Sequence, residues 1–147
     1  MNAVNFPDEV FRSYIQKEYG DTITTSQIAE ITSLNVNGKG IYSLTGIEHF
    51  TALEILRCDN NHLTTLDVSK NIGLTDLECH NNQLKTLDLS NNTILYALYC
   101  DNNQFQPFSL SRLTNIRQLE CNFTITQSEN MYYLKLDGSE KCMGREI

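Results

Sequence analysis

Glu78, Cys79 and His80 bring an acid, a thiol and an imidazole into three consecutive positions, followed by Asn81 and Asn82. Those residue types invite two chemical readings. A thiolate could be activated by the neighbouring base, or cysteine and histidine could supply ligands to a metal. Both readings require the side chains to point to a common place, so the element that carries them decides the matter.

The cysteines identify that element. Cys58, Cys79, Cys100, Cys121 and Cys142 each follow the last by 21 residues. Zinc sites bring cysteines in close pairs, and no zinc motif has this interval. A constant long interval signals a repeat, and a period of 20 to 29 residues with leucines is the leucine-rich-repeat signature. The text from Leu53 reads LEILRCDNNHLTTLDVSKNIG, from Leu74 LTDLECHNNQLKTLDLSNNTI, and from Leu95 LYALYCDNNQFQPFSLSRLTN. The first two fit L-x-x-L-x-C-x-x-N-x-L, and the third does so with Phe105 in place of the last leucine. A looser copy, longer by one residue, starts at Ile31 and places Val36 at the cysteine position. A further copy starts at Ile116 as IRQLECNF and then loses the pattern at Thr124. Cys142 keeps the interval without the surrounding leucines, which reads as coincidence.

Each unit is expected to form one short strand around the L-x-C segment, a turn at the asparagines, and a return segment. The returns carry Leu66 and Val68, Leu87 and Leu89, or Phe108 and Leu110. Stacked units give a parallel sheet with strands about 4.8 Å apart, and stacking supplies the core that no unit can make alone. Strand side chains alternate between faces. Leu77 and Cys79 therefore point inward while Glu78 and His80 point outward, and the thiol-plus-base reading fails. Buried cysteines behave as small hydrophobes, so the thiols are expected to be structural, with disulfides between neighbouring rungs a lesser alternative. Asn61, Asn82 and Asn103 are expected to bond backbone groups left unpaired by the turn. Asp67, Ser69, Asp88, Ser90 and Ser111 recur as turn caps on the return.

The fold class that follows is an α/β solenoid: a leucine-rich-repeat right-handed coil with a parallel concave sheet and an N-terminal helical cap. Residues 1–30 form the cap, 31–130 about five repeats of period 21–22, and 131–147 an irregular C-terminal cap. A solenoid exposes its core at both ends, hence the caps. In NFPDEVFRSYIQKEYG, Asn5 is expected to cap a helix with Pro7 in its first turn. Val10, Phe11, Tyr14 and Ile15 form its apolar face, and Gly20 ends it. A short second helix is expected around Ser26–Glu30, burying Ile28.

The outward strand positions fall into three rows: Ser33, Ile55, Asp76, Ala97, Gln118; then Asn35, Arg57, Glu78, Tyr99, Glu120; then Asn37, Asp59, His80, Asp101, Asn122. These vary from unit to unit where the core positions repeat, as a binding surface requires. The candidate binding residues are Ile55, Arg57, Asp59, Asp76, Glu78, His80, Tyr99, Asp101, Gln118 and Glu120. Tyr99 and Arg57 are the expected anchors, being interface hot-spot types. No catalytic residue, cofactor or metal ligand is assigned. There is no G-x-S-x-G, H-E-x-x-H or phosphate loop. The weakest alternative is a metal or acid–base site of Asp59, His80, Asp101 and Glu78, disfavoured because an open sheet has no water-excluding pocket.

A net charge of −7 over 147 residues disfavours nucleic acid and anionic lipid as partners. No apolar run reaches the roughly 18 residues that would suggest a membrane span, and MNAVNFPDEVFRSYIQ, with no basic n-region or apolar h-region, is not expected to act as a signal peptide.

The units LRCDNNHLTTLDVSKN, LECHNNQLKTLDLSNN and LYCDNNQF, with the opening NFPDEVFRSYI, resemble bacterial leucine-rich-repeat proteins of host-dwelling species, related in architecture to internalins. The resemblance covers residues 5 to about 121. It implies a non-catalytic protein- or glycan-binding module, extracellular or at the cell surface, with its leader not present in this chain; a cytoplasmic location stays open. A monomer is expected. A structural spacer within a larger surface protein is the alternative. Relatives often carry a calcium-loop-like segment between the two cap helices, but EYGDTITTSQIAEI has one aspartate, Asp21, and no D-G, so no calcium site is expected.

Overall fold

The computed structural model describes residues 4–105 and 112–121. Two helices, α1 (Glu9–Tyr19) and α2 (Thr25–Ile28), precede five strands: β1 (Ser33–Asn35), β2 (Ile55–Arg57), β3 (Asp76–Glu78), β4 (Ala97–Tyr99) and β5 (Gln118–Glu120). The strands form one parallel sheet in chain order. Leu34, Leu56, Leu77, Leu98 and Leu119 align rung to rung along it. All five are buried. The expected solenoid is therefore observed.

Each strand is three residues long, yet the hydrogen-bond ladder runs further. Val36, Cys58, Cys79 and Cys100 donate their N–H groups to the carbonyls of Arg57, Glu78, Tyr99 and Glu120 at 2.7–2.8 Å. Gly38, Asn60 and Asn81 donate to Asp59, His80 and Asp101 at 3.0–3.1 Å. The ladder thus carries the Asp59–His80–Asp101 row in register with the strands before it.

Two asparagines end each of the β2, β3 and β4 rungs, and they do different things. The first, Asn60, Asn81 or Asn102, takes φ of 53–55°, the left-handed region that asparagine tolerates better than most side chains. The second satisfies the backbone that the turn strands. Asn82 Nδ2 donates to the carbonyls of Cys58 at 3.0 Å and Cys79 at 3.1 Å, and its Oδ1 accepts the Leu63 N–H at 3.0 Å. Asn61 and Asn103 repeat this one coil earlier and later. The expected role of these three residues is borne out, whereas the left-handed partner beside each was missed. A second asparagine ladder runs along the returns. Asn71 donates to Ile47 and Phe50 carbonyls, and Asn92 to those of Val68 and Asn71. On the same returns Asp67 and Asp88 accept the N–H groups of Ser69 and Ser90 at 2.9 Å, so the aspartates are the caps.

The cap helix departs from expectation at its start. Asp8, not Asn5, is the N-cap: its Oδ1 accepts the Phe11 N–H at 2.9 Å. Starting the helix there puts Phe11 and Ile15 inward, one turn apart, both fully buried. Val10 lies one position off that line and is 40% exposed, so it does not belong to the apolar face. Asp8 Oδ2 also accepts the N–H groups of Tyr42 and Ser43, tying the cap to the first coil. The second helix starts at a capping box of Thr24 and Gln27 and buries Ile28 as expected.

The cysteine ladder is mixed. Cys58 and Cys79 are free and buried, but Cys100 and Cys121 are joined by a disulfide across the β4–β5 rung. Expecting free thiols throughout was wrong at that rung. Parallel register places equivalent residues on neighbouring coils opposite each other, here with Cα atoms 4.9 Å apart, within reach of a disulfide. Phe108, Leu110, Ser111, Cys142 and the expected C-terminal cap lie outside the described residues.

Candidate functional site

The sheet register sets the rows of the outward face. Ile55, Asp76, Ala97 and Gln118 are aligned partners, and so are Arg57, Glu78, Tyr99 and Glu120. Both rows therefore form as read from the repeat, with Ala97 the exception in being buried.

The two expected anchors are already engaged on the face. Arg57 Nε donates to Glu78 Oε1 at 2.9 Å, and that hydrogen bond, with the Glu78 charge, holds the guanidinium in its cationic form above its usual range. Tyr99 Oη donates to Gln118 Oε1 at 2.6 Å. Burial, then the charges of Glu120 and Glu78, raises the Tyr99 phenol, so it stays a neutral donor. Each contact bridges adjacent coils, which fixes long side chains that would otherwise swing freely.

Asp59 does not sit on the open surface as its register suggested. It is 4% exposed. The left-handed turn at Asn60 folds that residue back, and Asn60 Nδ2 donates to Asp59 Oδ2 at 2.6 Å. His80 lies over it from the next coil, with Nε2 at 3.6 Å from Asp59 Oδ2. Asp59 Oδ1 and His80 Nδ1 are both buried and have no hydrogen-bond partner. Asp101, the third member of the row, accepts from Asn102 Nδ2 at 2.9 Å. Among the described residues no group of three or more His, Cys, Asp or Glu side chains is placed to hold a metal ion.

The Glu78–Cys79–His80 stretch separates by face as alternation requires. Cys79 is fully buried, and burial pushes its thiol far above the usual value, as it does for Cys58. A thiol so held is a core side chain and a poor nucleophile. His49 lies 3.9 Å from Glu48, and the His62 ring lies 4.8 Å from that of Tyr42, tilted by 40°.

Beside the rows the structure adds a feature that the repeat pattern did not single out. An open groove of about 500 Å³ is lined by Thr75, Asp76, Ile94, Tyr96, Asn115 and Arg117. Ile94 and Tyr96 are nearly half exposed there. Thr75, Tyr96 and Arg117 occupy one repeat position, two before the central leucine. Their variation from unit to unit was the signal available in the sequence.

Comparison with known proteins adds relatives to this geometry. No family model matches the chain. Internalin J of Listeria monocytogenes serotype 4b is 41% identical over 70 residues, 45% of this chain and 8% of that protein. Among solved structures, an internalin (inlF) of Listeria monocytogenes superposes with a TM-score of 0.77 at 28% identity, covering 86% of this chain and 41% of that chain. The functional domain of InlJ, described as including a cysteine ladder, gives a TM-score of 0.63 at 34% identity over 85% of this chain and 34% of that one. The chain thus spans less than half the length of each of these relatives.

Proposed function

Taking as premise that this chain is an internalin-like leucine-rich-repeat protein, we propose that it works without catalysis, as a recognition module whose concave face binds a protein partner at the bacterial cell surface. One observation carries the reading. Inward positions repeat along the sheet as leucine, while their outward neighbours change at every rung: Ile55, Asp76, Ala97 and Gln118 in one row, Arg57, Glu78, Tyr99 and Glu120 in the next. A fold that needs only stacking has no use for an outward tyrosine and an arginine clamped across coils. Both types are enriched among interface hot spots, and prior fixing of their side chains lowers the entropy lost on binding. Glycan recognition draws on the same face and is the narrower variant of this reading.

The test contrasts two faces of one protein. A photo-crosslinking side chain replaces Tyr99 on the concave face, or the exposed Thr86 on a return. Each variant is then illuminated with a host-cell surface extract. Adducts to a discrete protein from the Tyr99 position and not from Thr86 are expected. Adducts from Thr86 alone would move the site to another face. Equal failure of both, with the fold intact, would favour a spacer segment within a larger surface protein.

A further inference from the structure

The concave rows carry five carboxylates, at Asp59, Asp76, Glu78, Asp101 and Glu120, and the guanidinium of Arg57, with Arg117 beside Asp76 in the neighbouring groove. Arg57 is committed to Glu78. Among the described residues the other four have no lysine or arginine in ion-pair contact. An acidic surface by itself is only a solvated one. Asp59 makes this one different, because its carboxylate is withdrawn from water and incompletely satisfied: the residue is 4% exposed and Oδ1 has no donor.

His80 covers that carboxylate. With Nε2 facing Asp59, its Nδ1 is a second buried atom without a partner. The 3.6 Å approach is too long for a good hydrogen bond. Buried acceptors without donors are costly and normally have a partner or a bound water. Asp59 Oδ1 is thus an acceptor that a donor would satisfy, and the acidic rows around it favour one with positive charge.

We infer that the concave face receives a basic peptide segment, one of whose arginine or lysine side chains turns His80 aside and docks on Asp59. The inference rests on the recognition reading above and names the chemistry of its partner.

The experiment is a chemical-shift titration of the whole chain at low ionic strength with three short peptides alternating glycine with arginine, glutamate or serine. The arginine peptide should perturb the amides of Asp59, Asn60 and His80. Asp59→Asn should weaken it about ten-fold, since the buried carboxylate loses its charge. The charge-matched Asp21→Asn, in the cap, should leave it unchanged. His80→Ala should bind at least as well as the natural protein, because the cover is gone; it also decides the matter if Asp59→Asn fails to fold. Equal weakening by Asp59→Asn and Asp21→Asn would overturn the inference in favour of diffuse charge attraction. Loss of binding in His80→Ala, or no perturbation by the arginine peptide, would overturn it as well. If the glutamate or serine peptide alone perturbs the concave rows, the basic partner is wrong while the recognition face stands. Perturbations confined to the returns by every peptide would sink both.

Discussion

The Asp8 carboxylate accepts the Tyr42 N–H at 2.9 Å across 34 residues of chain, while its other oxygen caps α1 through Phe11. One side chain thus starts the cap helix and fastens it to the first coil. Burial works to raise its pKa, but the backbone donors of Phe11, Tyr42, Ser43 and Val10 outweigh burial and hold it below its usual 3.8. A depressed folded-state pKa gives stability that is present above the unfolded value and is lost as pH falls through the folded one. Acid should therefore loosen the cap below about pH 4. In Asp8→Asn the part of the acid destabilisation due to this residue should vanish, seen as a flatter melting temperature between pH 4 and pH 2 in calorimetry.

Asn82 contributes to two coils at once through the Cys58 and Cys79 carbonyls and the Leu63 N–H. Asn82→Ala leaves the buried Leu63 N–H unpaired and takes one of two asparagine donors from each of the Cys58 and Cys79 carbonyls, which Asn61 and Asn103 still reach, at a cost of about 2 kcal/mol. Asn81→Ala costs less, about 1 kcal/mol, because it strains one left-handed residue without orphaning a buried backbone group. Urea unfolding of the two variants should reproduce that order, and the reverse order would contradict the assignment of roles within each asparagine pair.

Gly46 allows Phe6 to close the cap. Its φ is 108°, and a Cβ built there would lie 2.5 Å from Phe6 Cδ1. Phe6 cannot retreat easily, being buried against Phe11 at 5.0 Å and Phe50 at 6.3 Å between ring centroids. Gly46→Ala should destabilise by about 2 kcal/mol from strain and overpacking together. Gly38→Ala, in open space at φ of 61°, should cost less. Thermal melts of both variants give the comparison.

The two kinds of cysteine should separate chemically. Cys58 and Cys79 are buried with raised thiols, so they should alkylate only when the chain unfolds. Reduction should break the Cys100–Cys121 bridge, which closes a loop across 21 residues. The expected loss is about 3 kcal/mol on the chain-entropy account. Peptide mapping after alkylation, native against denatured and with or without reductant, reads out both claims. Fast native labelling of Cys79 would show that its rung opens.

The exposed Arg57–Glu78 pair should matter little to stability. Both side chains keep solvent contact, so Arg57→Ala should cost well under about 1 kcal/mol. A near-unchanged melting temperature makes this variant, with Tyr99→Ala, a clean probe of partner binding.

The repeat interval determined most of this protein's architecture without any coordinates. Leucines and cysteines at a constant period can bury themselves only by stacking, and alternation within a strand then decides which residues face outward. That logic placed Arg57, Glu78, Tyr99 and Glu120 in one row, and separated Cys79 from His80. It failed where a contact depends on geometry between coils or on the local start of an element. Asp8 rather than Asn5 begins α1 because its second oxygen finds the Tyr42 and Ser43 amides, a partner 34 residues away. Cys100 and Cys121 occupy the same repeat position as Cys58 and Cys79, so nothing in the sequence distinguishes the bridged pair from the free one. Asp59, read as an outward letter, is drawn under His80 because the left-handed turn at Asn60 and the next rung close over it together. Periodicity reports which face a side chain leaves from. Only the stacked coils decide what then lies on top of it.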